Sequence, residues 1–141
     1  MLVEEVMSTE VVTVDRSASL RMAVETLLER DVGSVVVISD EGHPVGIVTE
    51  SDALRAALRT GDPLRKINVA DLSHRPVVKT KPSATVEGLA RTMAEEGVKK
   101  VPVMDGIDLV GMITLTDVVW NLSDIRSQAR ETGEAISRWS P

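Results

Sequence analysis

Two hydroxyls and a carboxylate recur at one spacing in this sequence. Gly46-Ile47-Val48-Thr49-Glu50-Ser51-Asp52 sets Thr49, Ser51 and Asp52 behind a glycine and a short apolar run. Gly111-Met112-Ile113-Thr114-Leu115-Thr116-Asp117 repeats that order with Thr114, Thr116 and Asp117. Each copy reads as a glycine turn, a buried strand, then a helix opening at Ser51/Asp52 or Thr116/Asp117. A helix start carries unpaired N–H groups and a partial positive charge, so it favours anions and oxygen acceptors. Hydroxyls and one carboxylate at such an end suit a phosphorylated, hydroxyl-rich ligand such as a nucleotide. One copy alone would serve equally as an ordinary helix cap; two copies in one register favour a site.

Other chemistries find little support. There is no cysteine, which excludes disulfides, thiolate metal sites and a cysteine nucleophile. His43 stands in a Gly-His-Pro turn and His74 in Ser-His-Arg-Pro, neither with the spaced companions of a metal site. No phosphate-loop lysine motif, nucleophile elbow or working carboxylate pair is present, so we expect no catalytic residues and no enzyme. A net charge of −6 disfavours duplex nucleic acid, whose binding depends on neutralising phosphates. With Trp120 and Trp139 as the whole aromatic complement, stacking platforms for single strands are missing too. The acidic start Met1-Leu2-Val3-Glu4-Glu5 is no signal peptide, and no stretch approaches the ~18 apolar residues of a membrane span. The expected setting is cytoplasmic, with no membrane.

The elements that position the two motifs also repeat. Gly46, Thr49 and Asp52 lie 65 residues before Gly111, Thr114 and Asp117. Val11, Ser17, Val32 and Val35 lie 66 residues before Val77, Ser83, Val98 and Val101. The one-residue change falls in a loop, where a true structural repeat tolerates it. Val11–Val14 and Val77–Thr80 read as short strands, and Ser19 and Thr85 as helix caps. Apolar residues then follow i, i+3, i+4, i+7, i+8: Leu20, Ala23, Val24, Leu27, Leu28, and Val86, Leu89, Ala90, Met93, Ala94. Strands at 34–38 and 101–104, tight polar turns, and strands at 45–49 and 110–114 complete each unit before its second helix. The spacing predicts β-α-β-β-α twice, an α+β (α/β) fold, with the sheets of the two copies packed face to face.

Together, Gly-x-x-Thr-x-x-Asp in both copies, the strand Gly97-Val98-Lys99-Lys100-Val101-Pro102-Val103 and the β-α-β-β-α order closely resemble the CBS domain, named for cystathionine β-synthase. Two in tandem resemble a Bateman module with pseudo-two-fold symmetry. The resemblance covers roughly residues 3–125. It divides the sequence into repeat 1 (1–58), a polar linker (59–68), repeat 2 (69–125) and a helical tail (126–141). It implies an adenine nucleotide (AMP, ADP or ATP, with or without magnesium) or a related adenosyl ligand such as S-adenosylmethionine, held in clefts between the copies. By resemblance, Asp117 accepts both ribose hydroxyls, Thr114 and Thr116 meet ribose or phosphate, and Met112 lines adenine. Asp15, Leu20, Val32, Gly33 and Ser34 would form the facing wall. The other cleft would set Asp52, Thr49, Ser51 and Ile47 against Lys81, Val86, Val98, Lys99 and Lys100. Lys99 and Lys100 are the expected phosphate partners. Because repeat 1 has Gly33-Ser34 in their place, the two clefts should be unequal, the one nearest Lys100 holding nucleotide better.

The resulting expectation is a free-standing regulatory or sensor protein with no catalytic cofactor, acting on an unidentified partner. It would dimerise through helix faces around Ala53, Leu54, Ala57, Val118, Val119 and Leu122, about half of which should prove to be core. One rival is a structural or oligomerisation module with vestigial clefts. Another is a nucleic-acid-linked regulator that uses Arg55, Arg59, Arg65 and Lys66, which would have to converge on one face.

Overall fold

A computed structural model describes residues 1–72 and 77–123; His74 and the expected tail at 126–141 lie outside them. The chain divides into two compact units. The N-terminal unit comprises Glu10–Val77 with Gly106–Leu109, and the other comprises Met1–Thr9, Val78–Asp105 and the residues from Val110 onward.

In the N-terminal unit, β1 (Thr13–Asp15) runs parallel to β2 (Ser34–Ile38), which pairs antiparallel with β3 (Pro44–Thr49). Val35, Val36 and Val37 are all fully buried. A strand covered on both faces has no use for alternation, which is why the sequence shows a continuous valine run there. The crossover between β1 and β2 is a helix, Leu20–Arg30. Ser19 caps it, its hydroxyl accepting from the Met22 N–H at 3.2 Å. Leu20, Ala23 and Leu27 enter the core, but Leu28 is 77% exposed. The corresponding helix, Val86–Glu96, likewise buries Val86, Leu89 and Met93 and leaves Ala94 outside. The expected apolar stripe therefore holds for two turns and then rotates away from the core.

In chain order the helices are α1 (Val3–Val6), α2 (Leu20–Arg30), α3 (Glu50–Thr60), α4 (Val86–Glu96) and α5 (Leu115–Trp120). Helices α2 and α4 both stop on a left-handed residue, Asp31 at φ +51° and Gly97 at φ +66°. Only glycine adopts that conformation without a Cβ penalty. Asp31→Gly is therefore expected to raise stability by about 1 kcal/mol, read as a higher midpoint in denaturant at unchanged slope.

The second unit carries β4 (Lys100–Asp105) and, from Val110 onward, β5 (Asp108–Thr114); Gly106, at φ +62°, joins the two strands. The strand expected at Val77–Thr80 shrinks to a single parallel bridge, Thr80 to Val103. Proline explains the loss. Val36 N–H donates to the Val12 carbonyl at 2.9 Å, whereas Pro102, at the corresponding place, has no N–H to give. The strand expected at Val11–Val14 also shifts, to Thr13–Asp15.

Sequence repeats and compact units interleave. Leu20 N–H donates to the Ile67 carbonyl (2.7 Å) and Val69 N–H to Ala18 (3.0 Å), so residues after the linker complete the N-terminal unit. In the other unit Val86 N–H donates to Met1 (2.9 Å) and Val3 N–H to Ala84 (2.8 Å), the same pattern displaced by 66 positions. Val3, wholly buried, lies in a core with Val86, Leu89, Val101, Val103 and Ile113. The N-terminal segment thus acts as a strap on the second repeat.

Candidate ligand site

Both motif glycines lie inside the strands expected at 45–49 and 110–114, Gly46 in β3 and Gly111 in β5, each buried and neither at a turn. A Cβ on Gly111 would stand 2.6 Å from Met7 Sδ and 2.9 Å from the Ser8 carbonyl oxygen. Ser8 pairs with Met112 through two hydrogen bonds of 2.9 Å. The glycine admits the strap, which the expectation of a turn missed.

The helices also begin earlier than expected, at Glu50 and Leu115, so that Thr49 and Thr114 become the caps. Thr49 Oγ1 accepts from Asp52 N–H (3.1 Å), and Asp52 Oδ2 accepts from Thr49 N–H (2.9 Å). Thr114 and Asp117 repeat the exchange at 3.2 and 2.8 Å. Each is a reciprocal capping box. A further donor is taken from upstream, Glu50 N–H donating to the Gly33 carbonyl (3.2 Å) and Leu115 N–H to Lys99 (2.8 Å). These carbonyl clamps left no signal in the side-chain pattern. Among the described residues only the Ser51 and Thr116 amides of these helix starts lack an acceptor. Both residues are exposed, so each motif offers one N–H and one hydroxyl to solvent.

The carboxylates differ. Asp52 Oδ1 has Arg55 Nη1 at 3.4 Å. In the second repeat Trp120 takes the place of Arg55, and no described residue bonds Asp117 Oδ1. That oxygen, fixed in orientation by the cap, has two lone pairs for the two hydroxyls of a vicinal diol.

Within their own units, Gly33 and Ser34 adjoin the first motif and Lys99 the second. Ser34 pairs with Thr49 across β2 and β3, and Gly33 adjoins the same helix start, so both stand beside Thr49, Ser51 and Asp52. Ile47 and Met112 are half-buried on β3 and β5. Lys99 is exposed beside Thr114 and Asp117, and Lys100 is half-buried at the start of β4. Val32 and Val98 pack as half-buried residues at the edges of their cores. Leu20 and Val86 are core residues with essentially no exposure. Asp15 does not join Gly33 and Ser34: it pairs at Ile38, the opposite end of β2, roughly 13 Å away along the strand. Lys81 similarly follows the Thr80–Val103 bridge, away from Lys100 along β4.

Asp15 has a local task instead. Its Oδ1 accepts from Ser17 N–H (2.9 Å) and Ser17 Oγ (2.7 Å), which hold the carboxyl below its ordinary value of 3.8. A depressed folded pKa contributes stability above the unfolded value and loses it as pH falls through the folded one. The Tm difference between the parent and Ser17→Ala should therefore be present at neutral pH and shrink below about pH 4.

Of the expected basic quartet, Arg55, Arg59 and Lys66 line one groove, while Arg65 lines another with Arg21, Val24 and Pro63. Asp52, Asp62 and Asp71 stand among the first three, so no uninterrupted cationic face forms. The described residues contain no group of three or more His, Asp or Glu side chains able to hold a metal, and no helix long and apolar enough to cross a membrane.

Residues 3–59 and 69–124 match the CBS domain. The chain belongs to the CBS-domain family. Protein MJ1225 of Methanocaldococcus jannaschii is 34% identical over 117 residues, covering 83% of this chain and 41% of that protein. This CBS pair spans 41%, 33% and 60% of the lengths of MJ1225, MJ1404 from the same organism and MK0525 of Methanopyrus kandleri. Among solved structures, the hexameric CBS-CP12 protein from bloom-forming cyanobacteria superposes with a TM-score of 0.77 at 28% identity, covering 96% of this chain and 86% of that one. The CBS domain pair of MJ0100, in complex with 5′-methylthioadenosine and S-adenosyl-L-methionine, gives 0.77 at 23% identity, covering 88% and 97%. The last likeness shows the CBS fold alone.

Proposed function

We propose that this CBS pair is a regulatory protein that binds an adenine nucleotide (AMP, ADP or ATP) and passes the binding event to a protein partner. One observation carries the reading: Asp117 keeps an oriented carboxylate oxygen without a described partner, beside the exposed Thr116 hydroxyl and amide. The chemistry suits a ribose diol with an adjoining phosphate, and Lys99 stands near the same helix start for the latter. The adenosyl compounds bound by the MJ0100 pair support the coarser class, an adenosine-bearing ligand. Signalling requires the ligand to bind two states with different affinity.

A second copy is the proposed assembly partner. Ala53 and Val118 are core, but Leu54 and Leu58 are exposed on α3 of the N-terminal unit, and Val119, Trp120 and Leu122 at the end of the second repeat, so each unit has exposed apolar residues suited to self-association. Light scattering on the parent and a Leu54→Glu/Leu58→Glu variant tests this, the variant being expected at half the parent mass.

The capping boxes favour one competing reading, since they account for both Thr-x-x-Asp motifs as helix starts without any ligand. Thermal shift against AMP, ADP and ATP with and without magnesium, S-adenosylmethionine and GTP separates the two. A rise with an adenine compound that Asp117→Asn abolishes supports the sensor. No rise with any compound supports a structural or oligomerisation module.

A further inference from the structure

Five of the six methionines belong to the second unit: Met1, Met7, Met93, Met104 and Met112. The sixth, Met22, is 55% exposed on α2 of the N-terminal unit. Among the described residues, the core of that unit is filled by valine, leucine, isoleucine and alanine, without a methionine. The sequence has Ile67 and Ser73 at the positions 66 residues after Met1 and Met7. Packing this fold therefore does not require sulfur, and the second copy has acquired it at the strap.

Met7 stands where the strap crosses β5. It is half-buried, and its Sδ fills the space that a Cβ on Gly111 would need, 2.6 Å from that position. The backbone N–H groups around it are engaged: Met7 N–H donates to the Val3 carbonyl (2.9 Å), and Ser8 and Met112 each donate to the other (2.9 Å). An oxygen added to this sulfur would be a strong acceptor set against a buried glycine, with no donor left to meet it. Held there, it is costly. Turned to water, it carries the sulfur off Gly111 and the strap with it. Bulk acts in the same direction, since the thioether already occupies the gap. Met93, only 2% exposed, is shielded from such chemistry, and Met22 is open to it but lies in the other unit.

We propose that Met7 is an oxidation site, at which hydrogen peroxide converts the thioether to a sulfoxide and unlatches the strap from β5. A sulfur lone pair attacks one peroxide oxygen, and the S–O bond forms as the O–O bond breaks. The departing hydroxide takes the proton left on the transferred oxygen and leaves as water. Sulfur loses two electrons and the peroxide gains them. β5 runs directly into the Thr114 cap, so release of the strap loosens the strand that carries the second motif. The inference does not depend on what that motif binds.

The test exposes the full chain to hydrogen peroxide, locates sulfoxides by peptide mass mapping, and then reads amide exchange and Tm. Met7 and Met22 should convert and Met93 should not. Exchange at Val3 and Met112, whose N–H groups bond across the strap, should speed at least about tenfold while β2 stays unchanged. The Met7→Leu variant should keep its exchange and Tm under the same treatment although Met22 still oxidises, and Met22→Leu should respond as the parent does. The proposal is overturned if Met7 stays reduced while other methionines convert, if its oxidation leaves exchange at Val3 and Met112 unmoved, or if peroxide loosens Met7→Leu as much as the parent. Because the parent alone supplies the first two outcomes, the test holds even if Met7→Leu folds poorly.

Discussion

Asp117→Asn is expected to abolish measurable adenine-ligand binding at the second repeat while leaving the fold nearly as stable as the parent. The two effects separate because Asp117 uses its two oxygens differently. Oδ2 accepts from Thr114 N–H at 2.8 Å, and an asparagine carbonyl oxygen can take over that bond. Oδ1 meets the ligand in the proposed site, and there an asparagine would present an NH₂ that cannot accept from a hydroxyl. Losing charge-assisted acceptance costs about 1.5–3 kcal/mol per bond, so two ribose hydroxyls amount to a loss of at least about 100-fold in affinity. Stability should change by less than about 0.5 kcal/mol. Asp117→Ala removes both roles, adding about 1 kcal/mol of destabilisation from the lost capping box. Titration calorimetry and urea unfolding on both variants check the separation. Equal ligand affinity in parent and Asp117→Asn would leave the motif as a helix start and nothing more.

Gly111→Val should be the most damaging single change in the second repeat. The added Cβ alone would stand 2.6 Å from Met7 Sδ and 2.9 Å from the Ser8 carbonyl oxygen. A thioether can swing aside, but a backbone oxygen held by its own hydrogen bond to Met112 cannot do so cheaply. The strap must then lift from β5, breaking both Ser8–Met112 bonds and loosening Val3 from the core. We expect about 3 kcal/mol of destabilisation and a fall in Tm of about 10 °C. Gly111→Ala paired with Met7→Ala should recover part of the loss, since it removes the Sδ clash and keeps the Ser8 one. Amide exchange should speed at Met112 and Val3 before it does in β2. A Tm within about 2 °C of the parent would mean that the strap contributes little.

Much of this architecture was written in patterns that operate within one or two turns of chain. Ser19 and Thr85 were legible as caps because the cap and the N–H groups it satisfies lie three residues apart, and the apolar faces of α2 and α4 because 3.6-residue periodicity is local. The repeat was legible from side-chain order alone, and so was the valine run of the central strand. The candidate site was half legible: its residue types and their duplication were, their engagement was not. Moving the helix start by one or two residues made Thr49 and Thr114 caps that close on Asp52 and Asp117, an engagement that the order of side chains does not display. Asp15 stands beside Ile38, at the end of β2 away from Gly33, because β1 is parallel to β2, a register fixed by pairing across the crossover. Gly111 reads as a turn in sequence and is a passage for Met7 in three dimensions, since the segment it admits comes from the other end of the sequence. The interleaving of repeats and units has the same origin. Local geometry fixes phase and capping, but which strand a segment joins depends on surfaces that exist only once distant parts of the chain have met.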